Sequence, residues 1–172
     1  MLGRRAFARL ENIEDHMIVK IDKATLADAE LIYEMQIKAF SSLLEKYQDF
    51  DISPGAEKID RIIQRLNQRF TDYYIIKYNE CNVGAIRIIR IEKEDKCRVS
   101  PIFILKEYQN KGIAQNVFEL IENKYKPSNG WILDTILEEK GNCYLYEKIG
   151  YMKTGKIDKI KDNMHIVYYE KK

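Results

Sequence analysis

The chain has 172 residues, most simply one domain over 1–172 with a sizeable hydrophobic core. Apolar residues make up 45% of it and charged residues 33%, as in ordinary globular proteins, and the formal net charge is +2. This charge gives no basic field that would attract nucleic acid or an anionic membrane, and no apolar run reaches the roughly 18 residues of a membrane-spanning helix. We therefore expect a cytoplasmic protein with neither nucleic-acid nor membrane partners.

Residues 1–17 are interpreted as an N-terminal extension that precedes the first strand. They carry a twin arginine, Arg4–Arg5, but no sustained apolar region follows it, so we expect no signal peptide. Met17 is an equally plausible biological start.

The cysteines indicate reduced thiols rather than a disulfide framework or a metal site. Cys81, Cys97 and Cys143 are odd in number, widely spaced and never in a C-x-x-C pair. With only His16 and His165 beside them, a zinc ion would have too few ligands. We expect no bound metal.

The hydrophobic pattern of the first 70 residues predicts one strand followed by two helices. Thr25 supplies an N-cap hydroxyl with Asp28 three residues on, as in a capping box, and apolar residues then recur at helical spacing. Proline is favoured in the first turn of a helix, so Ser53–Pro54 is expected to open the second one. The predicted bounds are a strand at 18–24, a helix from 25 to about 40, an irregular polar and aromatic segment at 41–51, and a helix from 53 with Ile59, Ile62, Ile63 and Leu66 on one face.

The remainder of the chain predicts six strands and two helices. Alternating or continuous apolar runs mark the strands, and Gly150 stands where a helix commonly ends. The predicted bounds are strands at 73–78, 83–91 and 99–105, a helix at 112–125, a strand at 131–137, a helix at 142–149, and strands at 151–160 and 164–170.

The segment Gln109–Ala114 is the most informative feature of the sequence, because it joins an apolar strand to an amphipathic helix. A strand that turns into a helix through a glycine gathers free backbone N–H groups at the positive end of the helix dipole. Gly112 leaves room for an anion to approach the backbone, and Ala114 keeps the first turn slim. The pattern indicates a phosphate or pyrophosphate site, although an ordinary strand-to-helix connection shares it.

Two motifs make residues 18–170 resemble the GNAT superfamily of N-acetyltransferases. Ile102–Ile104 followed by Gln109–Ala114 is similar to the family's acyl-CoA loop, in which Arg or Gln is followed by two residues, Gly, one residue, and Gly or Ala. Asn142 and Leu145–Tyr151 are similar to the family's Asn…Leu-Tyr-Glu-Lys-x-Gly-aromatic segment. The resemblance implies an α/β (α+β) fold, with a central mixed, mostly antiparallel sheet of about seven strands. About four helices would flank this sheet, which would be splayed between its fourth and fifth strands.

The resemblance also implies how the co-substrate, acetyl-CoA, is bound. The loop would wrap the coenzyme A pyrophosphate with backbone N–H groups, and the strand before it would pair with the pantetheine amides. Asn142 would contact the coenzyme, and it is also a candidate N-cap of the short helix. Since Gln109 carries no charge where many members have Arg, Lys111 or more distant basic residues would balance the phosphates. The implied coenzyme-binding residues are Ile102, Phe103, Ile104, Gln109, Asn110, Lys111, Gly112, Ile113, Ala114, Asn142 and Tyr146.

By the same resemblance, two groups would catalyse acetyl transfer to a primary amine. The backbone amide near Ile104 would stabilise the carbonyl oxygen as it gains negative charge. Tyr146 would protonate the leaving thiolate, because a phenol with a pKa of about 10 is a competent donor to a thiolate whose conjugate acid has a pKa of about 8.5.

The general base stays open among several groups. Asp134, Glu138 and Glu139 follow or belong to the buried strand near the expected site, His165 lies on the last strand, and a water chain is an alternative. Cys143 is expected to be a buried structural thiol rather than a nucleophile.

The acceptor is expected to be a small-molecule amine or a peptide amine. An acidic and aromatic segment falls where the family's first two helices wall the acceptor site, and its charge would suit a small cationic amine, although such segments are often solvated loops. The alternative function is a non-catalytic acyl-CoA-binding sensor or partner domain. A homodimer through the C-terminal strands is plausible by the resemblance alone. The residues of the acidic segment are Glu45, Tyr47, Asp49, Phe50, Asp51 and Glu57.

Overall fold

One seven-stranded sheet organises the computed structural model, which describes residues 18–172; the extension expected at 1–17 lies outside the described residues. The strand order is β1-β2-β3-β4-β5-β7-β6, and every neighbouring pair is antiparallel except β4 and β5, which are parallel. The expected fold class is therefore confirmed. The strands are β1 Val19–Lys23, β2 Thr71–Tyr78, β3 Cys81–Ile91, β4 Lys96–Ile104, β5 Trp131–Ile136, β6 Met152–Lys161 and β7 Met164–Lys171.

Four α-helices cover the two faces of this sheet. Helices α1 and α2 lie on one face, over the buried side chains of Ile75 and Phe103, and α3 and α4 lie on the other, over those of Ile86 and Leu133. Strand alternation assigns each residue to a face. The helices are α1 Ala29–Tyr47, α2 Ile59–Leu66, α3 Ile113–Lys124 and α4 Lys140–Lys148.

The sheet splays open between β4 and β5, as expected. These two strands pair only at Cys97 with Trp131 and at Arg98 with Ile132, and then diverge. The divergence begins next to an irregularity in β4, where the pairing with β3 shifts register opposite Arg87. Pro101 lies in this irregular stretch and has no backbone N–H to donate to a ladder. A bend in β4 thus accompanies the opening of the gap.

Helix α1 is longer than expected. The segment 41–51 was expected to be irregular, but α1 continues to Tyr47, so that prediction is wrong for most of the segment. Leu43 and Tyr47 continue the helical spacing and pack against Met164 and Ile166 of β7. These partners lie more than a hundred residues away in the chain, so the local sequence pattern did not show that the last two turns of the helix are also packed against the sheet.

The starts of α2 and α4 also differ from the expectation. Ser53–Pro54 opens only a single 3-10 turn, and α2 begins at Ile59. Helix α4 begins at Lys140 with Glu139 at its N-cap, so Asn142 lies in the first turn and does not cap the helix. None of the helices in residues 18–172 is long and apolar enough to cross a membrane.

Candidate functional site

A cleft passes through the gap between β4 and β5 and opens on both faces of the sheet. The α3 side of the cleft has a volume of about 550 Å³ and reaches the loop before α3 and the outer face of α4. The α1 side, about 360 Å³, lies beneath α1 and the segment that follows it. The two sides meet at the gap, since both are lined by Phe40, Leu43, Ile102, Asn142 and Tyr146.

The loop before α3 presents a run of free backbone donors to the α3 side. Gly112 has φ +74°, a left-handed conformation that side chains disfavour, and it forms the N-cap of α3. Its carbonyl accepts hydrogen bonds from the backbone and side chain of Asn116. Within residues 18–172, the N–H groups of residues 110–115 find no acceptor. Six consecutive free donors at the positive end of a helix form a site for an anion such as a pyrophosphate.

Gln109 anchors this loop to the end of β4. Its side-chain amide donates to the Ile104 carbonyl at 2.9 Å, and its backbone N–H donates to Lys106. The free run therefore starts at Asn110 and extends to Gln115, a residue that the loop motif did not include.

The edge of β4 that faces the gap carries backbone groups that do not pair with β3, and of these the Ile104 carbonyl accepts the hydrogen bond from Gln109. The N–H of Leu105 donates to Val83 at 2.8 Å, which places Leu105 and Phe103 in the hydrogen-bonded pairs with β3. Because antiparallel pairs alternate, the backbone groups of Ile104 and Ile102 point away from β3 and toward the splayed gap. The expected amide of Ile104 is thus directed into the cleft. The Phe103 side chain packs on Phe40 of α1, with ring centroids 5.8 Å apart.

Tyr146 reaches the gap from α4. Its ring is buried against Phe118 and Tyr151, with centroid distances of 5.8 and 6.2 Å, and the side chain lines both sides of the cleft. The neighbouring tyrosines are committed elsewhere, since Tyr151 donates to Glu122 and Tyr169 to Glu147. No described residue accepts a hydrogen bond from the Tyr146 hydroxyl. This phenol is therefore free to bind a ligand atom in the gap.

The electrostatic setting of Tyr146 favours its protonated form. Burial is the main cause that raises the pKa of Tyr146 above its ordinary value, and the negative charge of Asp134 adds to the effect. The phenol therefore keeps its proton at neutral pH and can act as a hydrogen-bond donor.

The four candidate general bases are not equivalent in the fold. Asp134 lines the α1 side of the cleft and is paired with Arg98 across β4 and β5. His165 and Glu138 bind each other at 2.6 Å, and neither lines the cleft, because His165 alternates to the face of β7 opposite its cleft-lining neighbours Met164 and Ile166. Glu139 lines the α3 side, and its carboxylate accepts hydrogen bonds from Lys46 and Tyr47. Of the four, Asp134 alone lines the α1 side.

Hydrogen bonds to Glu139 join the end of α1 to the start of α4 beside the cleft, a contact that the sequence did not indicate. Glu139 accepts hydrogen bonds from the Tyr47 hydroxyl at 2.5 Å and from Lys46 at 2.6 Å. Desolvation opposes ionisation of Glu139, but these two donors hold the pKa of its carboxyl below the usual value. The ionised Glu139 side chain therefore links the end of α1 to the start of α4. Tyr47 and Glu139 are 92 residues apart in the chain, and no sequence motif indicates this contact.

The acidic segment is only partly at the site. Tyr47 and Asp49 line the α1 side of the cleft, whereas Glu45, Phe50 and Asp51 are exposed. Glu57 instead forms a two-fold hydrogen-bonded ion pair with Arg65, at 2.8 and 2.5 Å. The α1 side also has apolar lining residues such as Phe40, Leu43 and Ile52, beside the charged pair of Arg98 and Asp134. Among the described residues, no group of three or more His, Cys, Asp or Glu side chains is placed to hold a metal ion.

Comparison with known families identifies an acetyltransferase domain. Residues 44–172 match the family described as "Acetyltransferase (GNAT) domain". This span covers well over half of the chain, including the loop before α3 and the α4 motif. No curated protein matches the chain by sequence.

Solved structures share the fold at low sequence identity. The microcin C7 self-immunity acetyltransferase MccE, solved with acetyl-CoA and AMP, has a TM-score of 0.69 at 14% identity, over 89% of this chain and 91% of that one. Spermidine/spermine N-acetyltransferase SpeG from Vibrio cholerae has 0.64 at 13%, over 88% and 91%. The ribosomal-protein-S18-alanine N-acetyltransferase from Escherichia coli has 0.69 at 11%, over 90% and 93%. At these identities the likeness establishes the architecture.

Proposed function

Because the chain belongs to the GNAT family of acetyltransferases, we propose that it transfers the acetyl group of acetyl-CoA directly to a primary amine while both substrates are bound. The observation that carries the proposal is a convergence at one gap. The free phenol of Tyr146, the outward-facing amide of Ile104 and the free N–H run of residues 110–115 all serve the same cleft. A family member that only bound the coenzyme would have no need of the phenol.

The α3 side has the chemistry that coenzyme A requires. The N–H groups of residues 110–115 would hold the pyrophosphate, and Gly112 permits the close approach. The backbone groups of Ile102, which face the gap, would hydrogen-bond the pantetheine amides as an added strand does. Asn142, exposed in the first turn of α4 and lining both sides, would contact the coenzyme near the gap.

Transfer would proceed by attack of the neutral amine on the thioester carbonyl. A C–N bond forms while the carbonyl oxygen gains negative charge, and the Ile104 N–H stabilises that charge, an effect often worth about 3 kcal/mol. The C–S bond then breaks, and the Tyr146 hydroxyl gives its proton to the departing sulfur. Burial raises the pKa of Tyr146, but the same desolvation raises the pKa of the thiol, so the proton transfer stays feasible.

The amine proton would leave on the α1 side, where the acceptor binds. Asp134 is the candidate base there, and its pairing with Arg98 fixes the carboxylate in position. A small cationic amine is the acceptor class that we propose, because the α1 side combines apolar walls with carboxylates. Among structural relatives, SpeG acts on spermidine and spermine, and the Escherichia coli enzyme acts on the alanine of a ribosomal protein.

The test is an acetyl-transfer assay with free-thiol detection over a panel of primary amines and N-terminal peptides. We expect amine-dependent release of coenzyme A and a stoichiometric N-acetyl product by mass spectrometry. Coenzyme A binding without any acetylated product would instead support the sensor function. Acetyl-CoA incubated with protein and no amine controls for simple thioester hydrolysis.

A further inference from the structure

Asp49 is a buried carboxylate with an incomplete set of partners. It is only 3% exposed, follows the end of α1 and lines the α1 side of the cleft. One oxygen, Oδ1, accepts from the backbone N–H groups of Asp51 and Ile52, both at 3.3 Å. The other, Oδ2, is fully buried and has no donor among residues 18–172. Since buried polar atoms are normally hydrogen-bonded, a donor supplied by a ligand would complete this group.

No basic side chain of the described structure neutralises Asp49. Arg98, which also lines the α1 side, is engaged by Asp134. Lys161 donates to the backbone carbonyls of Tyr47 and Gln48, at 3.1 and 2.6 Å, and forms no ion pair with Asp49. The α1 side therefore carries one carboxylate with a cationic partner and one without.

The two carboxylates differ in their relation to the reacting centre. Asp134 lies on β5, one of the two strands that border the gap, whereas Asp49 belongs to the segment after α1 and lies on neither of those strands. The reacting nitrogen has to be neutral, and an unpaired carboxylate beside it would hold it as an ammonium ion. Asp49 is better suited to a second nitrogen that stays charged throughout the reaction.

We infer that Asp49 is a specificity residue that binds the distal, non-reacting ammonium group of a diamine acceptor. This inference rests on the proposed acetyl transfer, whose site it extends. The connecting methylene chain would pass along the apolar wall formed by Phe40, Leu43, Ile52 and Ile160. A monoamine of equal length would leave the Asp49 oxygen unpaired and would bind more weakly.

The experiment compares 1,4-diaminobutane with butylamine as acceptors. For the wild type we expect kcat/KM to be at least about 10-fold higher for the diamine. Asp49→Asn keeps Oδ1 as an acceptor for the loop but removes the charge, and it should raise KM for the diamine by about 10-fold or more with little change in kcat. Butylamine kinetics should stay unchanged. Asp51→Asn, at the exposed neighbour, is the matched control and should behave as wild type.

Calorimetric titration of 1,4-diaminobutane into the protein–coenzyme A complex separates this inference from the proposed reaction. Diamine binding that Asp49→Asn weakens supports the site even if no acetylated product forms, in which case the proposed reaction alone fails. Equal kcat/KM for both amines in the wild type, or a diamine preference that survives Asp49→Asn, would overturn the inference. Either result would leave Asp49 as a structural carboxylate that accepts the backbone N–H groups of Asp51 and Ile52.

Discussion

At the level of single residues, Tyr146 is distinguished from the other buried tyrosines by what its hydroxyl lacks. Tyr151 and Tyr169 pack in the same aromatic cluster, yet each donates to a glutamate of the protein. Tyr146 is also buried, but it lines both sides of the cleft, and its hydroxyl has no acceptor among the described residues. A free donor in an otherwise satisfied cluster is what a proton donor to a substrate atom requires.

Replacing Tyr146 by Phe should lower kcat by about 100-fold, because the leaving thiolate loses its proton donor, while the affinity for coenzyme A stays nearly the same. Steady-state kinetics and calorimetric titration with coenzyme A check the two quantities. Tyr151→Phe is the matched control, since it removes a hydroxyl from the same cluster without touching the cleft. Unchanged turnover in Tyr146→Phe would remove this residue from the mechanism.

Residue-level features were predictable from sequence only where they are local. The loop before α3 and the tyrosine of α4 each lie within a short motif, and both line the cleft. The ion pair of Arg98 with Asp134 joins residues 36 positions apart, and the hydrogen bond from Tyr47 to Glu139 joins residues 92 positions apart. Such contacts depend on how strands and helices are brought together, so no spacing in the chain indicates them.

At the level of elements, the position of β4 depends on Gly84 in β3. A Cβ at Gly84 would lie 2.1 Å from the carbonyl oxygen of Phe103, closer than any real contact. Gly84 is paired with Ile104 across the two strands. The close approach of the β3 and β4 backbones at Gly84 therefore sets the position of the stretch of β4 that carries the proposed oxyanion donor, the Ile104 amide. The pattern of strands predicted that β3 and β4 exist, but the separation of their backbones is a tertiary property.

Gly84→Ala should push β4 away from β3, which would destabilise the protein by about 1–3 kcal/mol and misplace the Ile104 amide. We expect kcat to fall by about 10-fold or more at temperatures where the variant is fully folded, as measured by steady-state kinetics and circular dichroism. Val83→Ala is the control, because it loosens the same strand by losing buried methyl groups without crowding β4. If both variants kept wild-type kcat, the position of β4 would not limit catalysis.

For the molecule as a whole, the cleft exists because β4 and β5 stop pairing after their second residue pair, while each strand stays paired with its other neighbour, β3 or β7. The strands on each side of the gap must therefore be held in place by contacts other than β4–β5 hydrogen bonds. One such set of contacts is a polar cluster centred on Asp72 of β2. This buried carboxylate accepts a hydrogen bond from the Tyr125 hydroxyl at 2.7 Å, forms an ion pair with Lys23 of β1 at 2.8 Å, and also pairs with Arg90 of β3. It ties three strands to the residue that follows α3.

Asp72→Asn should therefore reduce the free energy of unfolding by about 1–2 kcal/mol at pH 7, because the side chain at position 72 loses the charge that strengthens its contacts with Lys23, Arg90 and Tyr125. Burial alone would raise the pKa of Asp72, but the hydrogen bonds from Lys23 and Tyr125 and the charge of Arg90 lower it below the ordinary value. A carboxyl whose pKa is lowered by folding stabilises the native state above its unfolded pKa of about 3.9, and this stabilisation is lost as the pH falls through the folded pKa.

The difference in the free energy of unfolding between wild type and Asp72→Asn should accordingly be smaller at pH 3 than at pH 7. Urea denaturation followed by circular dichroism measures it at each pH. Asp22→Asn provides the comparison, since it removes a carboxylate from an exposed ion pair with Lys77 on the neighbouring strand and should change stability little at either pH. A deficit of the same size at both pH values would mean that Asp72 contributes through packing and neutral hydrogen bonds. The linkage between charge and folding at this cluster would then be disproved.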